Sequence, residues 1–274
     1  MTPRHDRVGH VVEHDDIPRR IPLIQDMTLA DFPAEIGLFP LNEAMLLPHG
    51  KLPLNVFEPR YVALVEDAMR EGRMIGMIQT RDWPGMGMAE PMTPGDGVFA
   101  DGDGNGDGGG AGGAGGLPGG ADETPPLYSV GCIGRITSMT ERADGTYGIT
   151  LTGLARFRLL REAGMRRGYR VARIDVSGFA ADVTDPDEDV AYDRERLLES
   201  LRRFCTQQGL STQWDALYEM DDVTLLVMLP MICPFATAEK QALLESATLA
   251  ERANTLRTLL DMAGHEPDEG ASPS

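Results

Sequence analysis

The residues whose types and spacing best suit chemistry are Glu58 and Arg60. They flank Pro59 in the pentad Phe57-Glu58-Pro59-Arg60-Tyr61. A carboxylate and a guanidinium two positions apart can form a charged recognition pair, with Leu54, Phe57 and Tyr61 supplying apolar and aromatic surface beside it. The pair also has a structural reading. A carboxylate is favoured at a helix N-terminus, and Arg60 then pairs with a neighbouring acid or carbonyl. Helix-terminus electrostatics favour that second reading. It expects Phe57 buried, Pro59 opening a helix, and Glu58 with Arg60 in a local polar network. A buried Phe57 would make Phe57→Ala cost about 3–5 kcal/mol.

A second group is the arginine-rich run Arg156, Arg158, Arg161, Arg166, Arg167, Arg170 and Arg173. On strands, Arg156 and Arg158 would share a face and could meet an anionic ligand. Set against this is a solvated or ion-paired sheet face, which the acidic remainder of the chain favours.

Other chemistries are excluded by their missing parts. There is no Walker A phosphate loop, no G-x-G-x-x-G between strand and helix, no G-x-S-x-G and no H-E-x-x-H. Lysine occurs only at Lys51 and Lys240, and neither sits in S-x-x-K. His49, in a Pro-Gly turn, has no identifiable catalytic partner. His10 and His14 stand at i, i+4, a spacing that binds metal on a helix, but in polar sequence they read as solvated side chains. Asp101, Asp103, Asn105 and Asp107 resemble the start of a calcium loop, yet its twelfth position is Gly112 where a bidentate Glu is required. Cys132, Cys205 and Cys233 are far apart and odd in number, which suggests reduced, buried thiols in a cytoplasmic protein. No catalytic residue, metal site or cofactor is expected.

The 274 residues carry 25 basic and 43 acidic side chains, a formal net charge of -18. That average field repels nucleic acid and anionic lipid. No apolar run reaches the length of a membrane span, so no membrane partner is expected.

The elements that must position these residues follow from pattern and punctuation. Residues 1–33 read as a flexible arm. Short apolar runs broken by Pro40, Pro48, Gly50 and Pro53 predict strand, turn, strand over 36–57, with prolines at edges or strand starts. Pro59 suits a first helical position, and Tyr61, Val62, Val65, Ala68 and Met69 mark one helical face ending at Gly72. Residues 74–79 read as a strand. The glycine-rich tract within 84–125 cannot bury enough apolar surface to order itself, and reads as a disordered insertion. Alternation then predicts strands through 127–160, turning at Asp144-Gly145, and a further strand over 169–179. Helices are expected over 190–209, 213–220, 222–232, 237–246 and 249–263. The third of these, at 222–232, is apolar nearly all round, and the last begins with a Thr248…Glu251 capping box. This divides the chain into an arm, a β domain over 34–180, a helical subdomain over 186–263 and a tail from 264.

Three stretches carry a family resemblance. They are LFPLNEAMLLPHGKLPLNVFEPRYVALVEDAM at 38–69, GCIGRITSMTERADGTYGITLTGLARFRL at 131–159 and VMLPMICPFATAEKQALLESATLAERANTLRTLL at 227–260. In order and setting they resemble the N-terminal substrate-binding domain of the ATP-dependent protease Lon, the pentad being the most specific part. The resemblance implies an α+β fold: a PUA-like antiparallel pseudo-barrel followed by a C-terminal helical bundle. It also implies a non-enzymatic, bacterial polypeptide-binding module without the Walker A lysine or Ser–Lys dyad of the full protease. Unfolded or degron-bearing polypeptide, and a protease system, are the partners implied. A PUA-like sheet raises RNA or nucleotide binding as the alternative, which the net charge and the lack of a basic run with interleaved aromatics disfavour.

Overall fold

One long strand organises the β domain. The computed structural model describes residues 22–42, 44–81, 124–184 and 190–264. The His10–His14 pair, the Asp101–Asp107 segment, most of the 84–125 tract, the first part of the arm and the tail from 265 lie outside them. Six strands are present among the described residues: β1 (Glu35–Pro40), β2 (Lys51–Val56), β3 (Met74–Ile78), β4 (Val130–Glu141), β5 (Tyr147–Arg166) and β6 (Tyr169–Asp175). β5 spans 20 residues. Its first half pairs with β2 and β4, and its second half with β6. β4, β3, β1 and β6 then continue round from β5 and back to it, which closes a pseudo-barrel. β1 and β3 are parallel, the exception in an antiparallel ring, because β2 and a helix intervene between them and allow the crossover. β2 hangs on β5 outside the ring.

The helices are α1 (Pro59–Arg70), α2 (Arg194–Gln207), α3 (Trp214–Glu219), α4 (Asp222–Ile232), α5 (Thr237–Glu245) and α6 (Leu249–Ala263). Local chemistry sets their starts. Asp193 accepts from the Arg196 N–H, so α2 begins at Arg194, four residues later than the periodicity suggests. Thr248 accepts from the Glu251 N–H at 3.1 Å, while the Glu251 carboxylate reaches the N–H of Ala247 at 2.9 Å, a capping box displaced by one residue. β6 stops at Asp175, whose carboxylate takes the Ser177 N–H and turns the chain into a 3-10 segment, Ser177–Val183, where a longer strand is expected.

Each face of the sheet carries its own core. Leu38, Ile133, Leu154, Phe157, Ala172 and Ile174 fill one side. Val56, Tyr61, Ile149 and Leu151 on the other side join a larger core shared with α1 and the helical subdomain, including Leu225, Leu226 and Leu229 of the buried α4. The two subdomains are therefore joined through apolar burial, and nothing separates their interiors.

Candidate functional site

The pentad forms the corner between β2 and α1. Pro59 occupies the first helical position, where its missing N–H costs nothing. Glu58 is the N-cap, but its carboxylate makes no cap hydrogen bond. It accepts instead from Arg60, at 2.8 Å from Nε and 2.7 Å from Nη2. The pair is solvated, with the Arg60 and Glu58 side chains 51% and 42% exposed. The Arg60 guanidinium lies 4.6 Å above the Tyr61 ring. Tyr61 is buried and stacks on Phe39 with ring centroids 4.1 Å apart, and burial pushes its hydroxyl pKa up.

Phe57 departs from expectation. It is 71% exposed, not buried. The reason is alternation: Val56 takes the last inward position of β2, and Tyr61 fills the space against Phe39. Phe57 is left at the turn on the outer side.

Among the described residues, the strand leading to it is an edge of the sheet. Among the described residues β2 pairs only with β5. Lys51, Pro53 and Asn55 are exposed, while Leu52 and Leu54 are half-buried against the shared core. Near the start of β2 the chain approaches the helical subdomain closely. A Cβ on Gly50 would stand 2.5 Å from Met231 Sδ and 3.2 Å from Val227 Cγ1, so any larger residue there would have to displace the Met231 side chain. Leu54, Phe57, Glu58, Arg60 and Tyr61 are thus brought to one corner.

Arg156 and Arg158 are not part of it, and they part company with each other. Arg158 is exposed. Arg156 is 4% exposed, which corrects the expectation of a solvent-facing pair. Its Nε and Nη2 each donate to Asp182 at 2.8 Å. Nη1 donates to the carbonyls of Ser246 and Leu244, and Nη2 reaches that of Ala247. All five guanidinium protons are thereby used inside the protein. Asp182 also accepts the Arg156 backbone N–H at 2.9 Å. The junction ties β5 and the 3-10 segment to the turn between α5 and α6. Beside it Arg252 is buried, and desolvation, aided by Arg156, lowers its pKa to about 10. The covering of both faces of β5 at 154–157 buries Arg156, and no local pattern could have announced that.

Most of the remaining arginine-rich run is also paired. Arg166 meets Glu71, Arg167 meets Glu66 and Asp67, and Arg170 meets Glu162. The three cysteines are buried as expected. Burial raises the pKa of each, that of Cys233 to about 12. No cluster of three or more metal-ligating side chains occurs among the described residues, and none of their helices is long and apolar enough to cross a membrane. A shallow cavity of about 600 Å³ lies on α2 and the end of α6, lined by Arg202, Arg203, Gln207 and neighbours, and not at the corner.

Residues 35–262, from the first residue of β1 almost to the end of α6, match the family described as the ATP-dependent protease La (Lon) substrate-binding domain. The chain belongs to that family. Lon protease of Anaeromyxobacter dehalogenans (strain 2CP-C) is 29% identical over 145 residues, covering 53% of this chain and 13% of the relative. Lon protease 2 of Myxococcus xanthus is 28% identical over the same length and shares. The chain thus aligns with only a small part of these relatives. A solved Lon N-terminal domain protein from Xanthomonas campestris is 21% identical, with a TM-score of 0.49, over 82% of this chain and 97% of that one. Within this Lon-domain frame, the pentad is the corner that connects the outlying strand to α1, and the buried Arg156–Asp182 pair is the clasp between subdomains.

Proposed function

We propose that this Lon-family domain is a non-enzymatic module that grips extended, apolar polypeptide at the corner where β2 meets α1. The observation that carries the reading is Phe57, a large aromatic side chain left 71% exposed at the end of an open edge strand. Exposed aromatic surface beside unpaired main-chain groups suits an unfolded segment, which offers both apolar side chains and free backbone. Glu58 and Arg60 supply a polar rim that can re-pair with charged side chains of the guest. Membership of a substrate-binding family supports the same reading. The biological use would be as an adaptor or accessory in protein quality control, working with a protease system in the cytoplasm.

The test is binding of a reduced, permanently unfolded model protein compared with its native form, followed by fluorescence anisotropy. Selective binding of the unfolded form is expected, weakened about tenfold by Phe57→Ala, the usual range for loss of an aromatic anchor. Equal and negligible binding of both forms would remove the proposal, as would a Phe57→Ala protein that binds as well as the parent.

A further inference from the structure

Resting on that reading, we infer that the guest is bound by strand addition to the outer edge of β2, and that the edge selects segments in which apolar and polar residues alternate. The hydrogen-bond parity of β2 carries the inference. The Gly153 N–H donates to the Gly50 carbonyl at 2.8 Å. In an antiparallel ladder inward-bonding residues alternate, so Leu52, Leu54 and Val56 turn their backbone groups to β5. Lys51, Pro53 and Asn55 turn theirs outward. The far side of β5 agrees: the Arg142 N–H donates to Thr146 O, which places the alternate residues Gly148 and Thr150 toward β4. Pro53 agrees as well, because a proline fits only where no ladder N–H is required.

The edge therefore offers three carbonyls, of Lys51, Pro53 and Asn55, and two N–H groups, of Lys51 and Asn55. Only an extended backbone matches that row. Guest residues lying opposite Lys51, Pro53 and Asn55 use their own N–H and C=O to bind, and project their side chains on the exposed face, beside those three residues. Guest residues opposite Leu52 and Leu54 project onto the half-buried apolar face and need no backbone bond. The fit is to a segment that reads apolar, polar, apolar, polar: what a half-buried strand exposes when its own protein unfolds. A second copy of this chain fits less well. Pairing β2 with itself about Pro53 sets two residues without N–H against each other, and Lys51 and Pro53 are the kind of residues that guard an edge against self-pairing.

The probe is a ten-residue fluorescein-labelled peptide of alternating Val/Phe and Ser/Thr, without proline, compared with the same composition rearranged to helical period. The alternating peptide is expected to bind about tenfold more tightly, a difference of one or two hydrogen bonds. N-methylation of its polar positions should lower affinity about tenfold, and of its apolar positions by less than about twofold. Amide exchange at Lys51 and Asn55, fast in the free protein, should slow about tenfold on binding, whereas Leu52 and Leu54 are protected throughout. Phe57-dependent binding that ignores the methylated parity and leaves those two amides unchanged would overturn strand addition while sparing the proposed function. Failure of every peptide and of the unfolded protein to bind would sink both. Protection of Lys51 and Asn55 that rises with protein concentration alone would give the edge to a second copy and overturn the inference.

Discussion

Two arginine–carboxylate pairs sit at the two ends of this molecule's logic. Arg60–Glu58 stands in water at the corner, two positions apart in sequence, with about half of each side chain exposed. Arg156–Asp182 is sealed between subdomains, 26 residues apart, with side-chain exposures of 5% and 8%. The chemistry is the same and the role is opposite. The buried pair cannot leave its partners without stranding a charge in a dry interior, so it locks the helical bundle to the β domain. The exposed pair can let go at almost no cost, because water replaces each lost bond. A surface that must accept changing guests is better built from the second kind.

The comparison breaks first at the junction. Arg156→Ala removes five hydrogen bonds and leaves Asp182 buried without its partner. It should cost about 3–5 kcal/mol in urea unfolding, the range for breaking a buried pair. A loss below about 1 kcal/mol would mean that the junction is wet and the contrast false. The next largest effect is alkaline. Cys132 lies beside the junction, and burial followed by the Asp182 charge raises its pKa above the ordinary value of 9.0. Above that value the unfolded thiol loses its proton while the folded one keeps it. Stability contributed by this group is therefore full below pH 9 and declines as pH rises, by about 1.4 kcal/mol per pH unit while the gap lasts. Cys132→Ala should make that limb shallower by this one group's share in a series of unfolding curves, the other buried thiols keeping theirs. An unchanged slope would mean that the thiol is already solvated.

At the corner the expected effects on stability shrink. Phe57→Ala should change unfolding free energy by less than about 0.5 kcal/mol, the range for an exposed site away from caps and core. The larger cost belonged to a buried Phe57, and the exposed ring does not incur it. A loss of 3 kcal/mol or so would restore the purely structural corner.

What the sequence revealed follows the same division. Periodicity and punctuation found β1, β2, α1, the Asp144-Gly145 turn and the apolar α4, because each is set by neighbours a few residues away. The burial of Arg156 was not legible, since it depends on Asp182, Ser246 and Ala247 converging from distant parts of the chain. Phe57 is a different kind of miss. Its signal was present: in Leu52-Pro53-Leu54-Asn55-Val56-Phe57 a period of two already sends Val56 inward and Phe57 outward. Hydrophobicity alone argued for burial, and at the end of an edge strand period is the better guide. The closing of β6 at Asp175 shows a third case, in which one side-chain hydrogen bond to Ser177 ends a strand that the apolar pattern would have continued.

The smallest effect sharpens the comparison most. A double-mutant cycle with Glu58→Gln and Arg60→Gln should give a coupling of about 0–1 kcal/mol, falling further as salt rises. The Arg60 stem and its guanidinium also cover the Tyr61 ring, so Arg60→Gln alone should lose slightly more than Glu58→Gln. If the coupling instead exceeds about 2 kcal/mol and resists salt, the pair is held as rigidly as a buried one. It would then be a second clasp, and the corner could not yield its charges to a guest. A weak, salt-sensitive coupling leaves Glu58 and Arg60 free to exchange partners, which is the property that separates a docking rim from a structural joint.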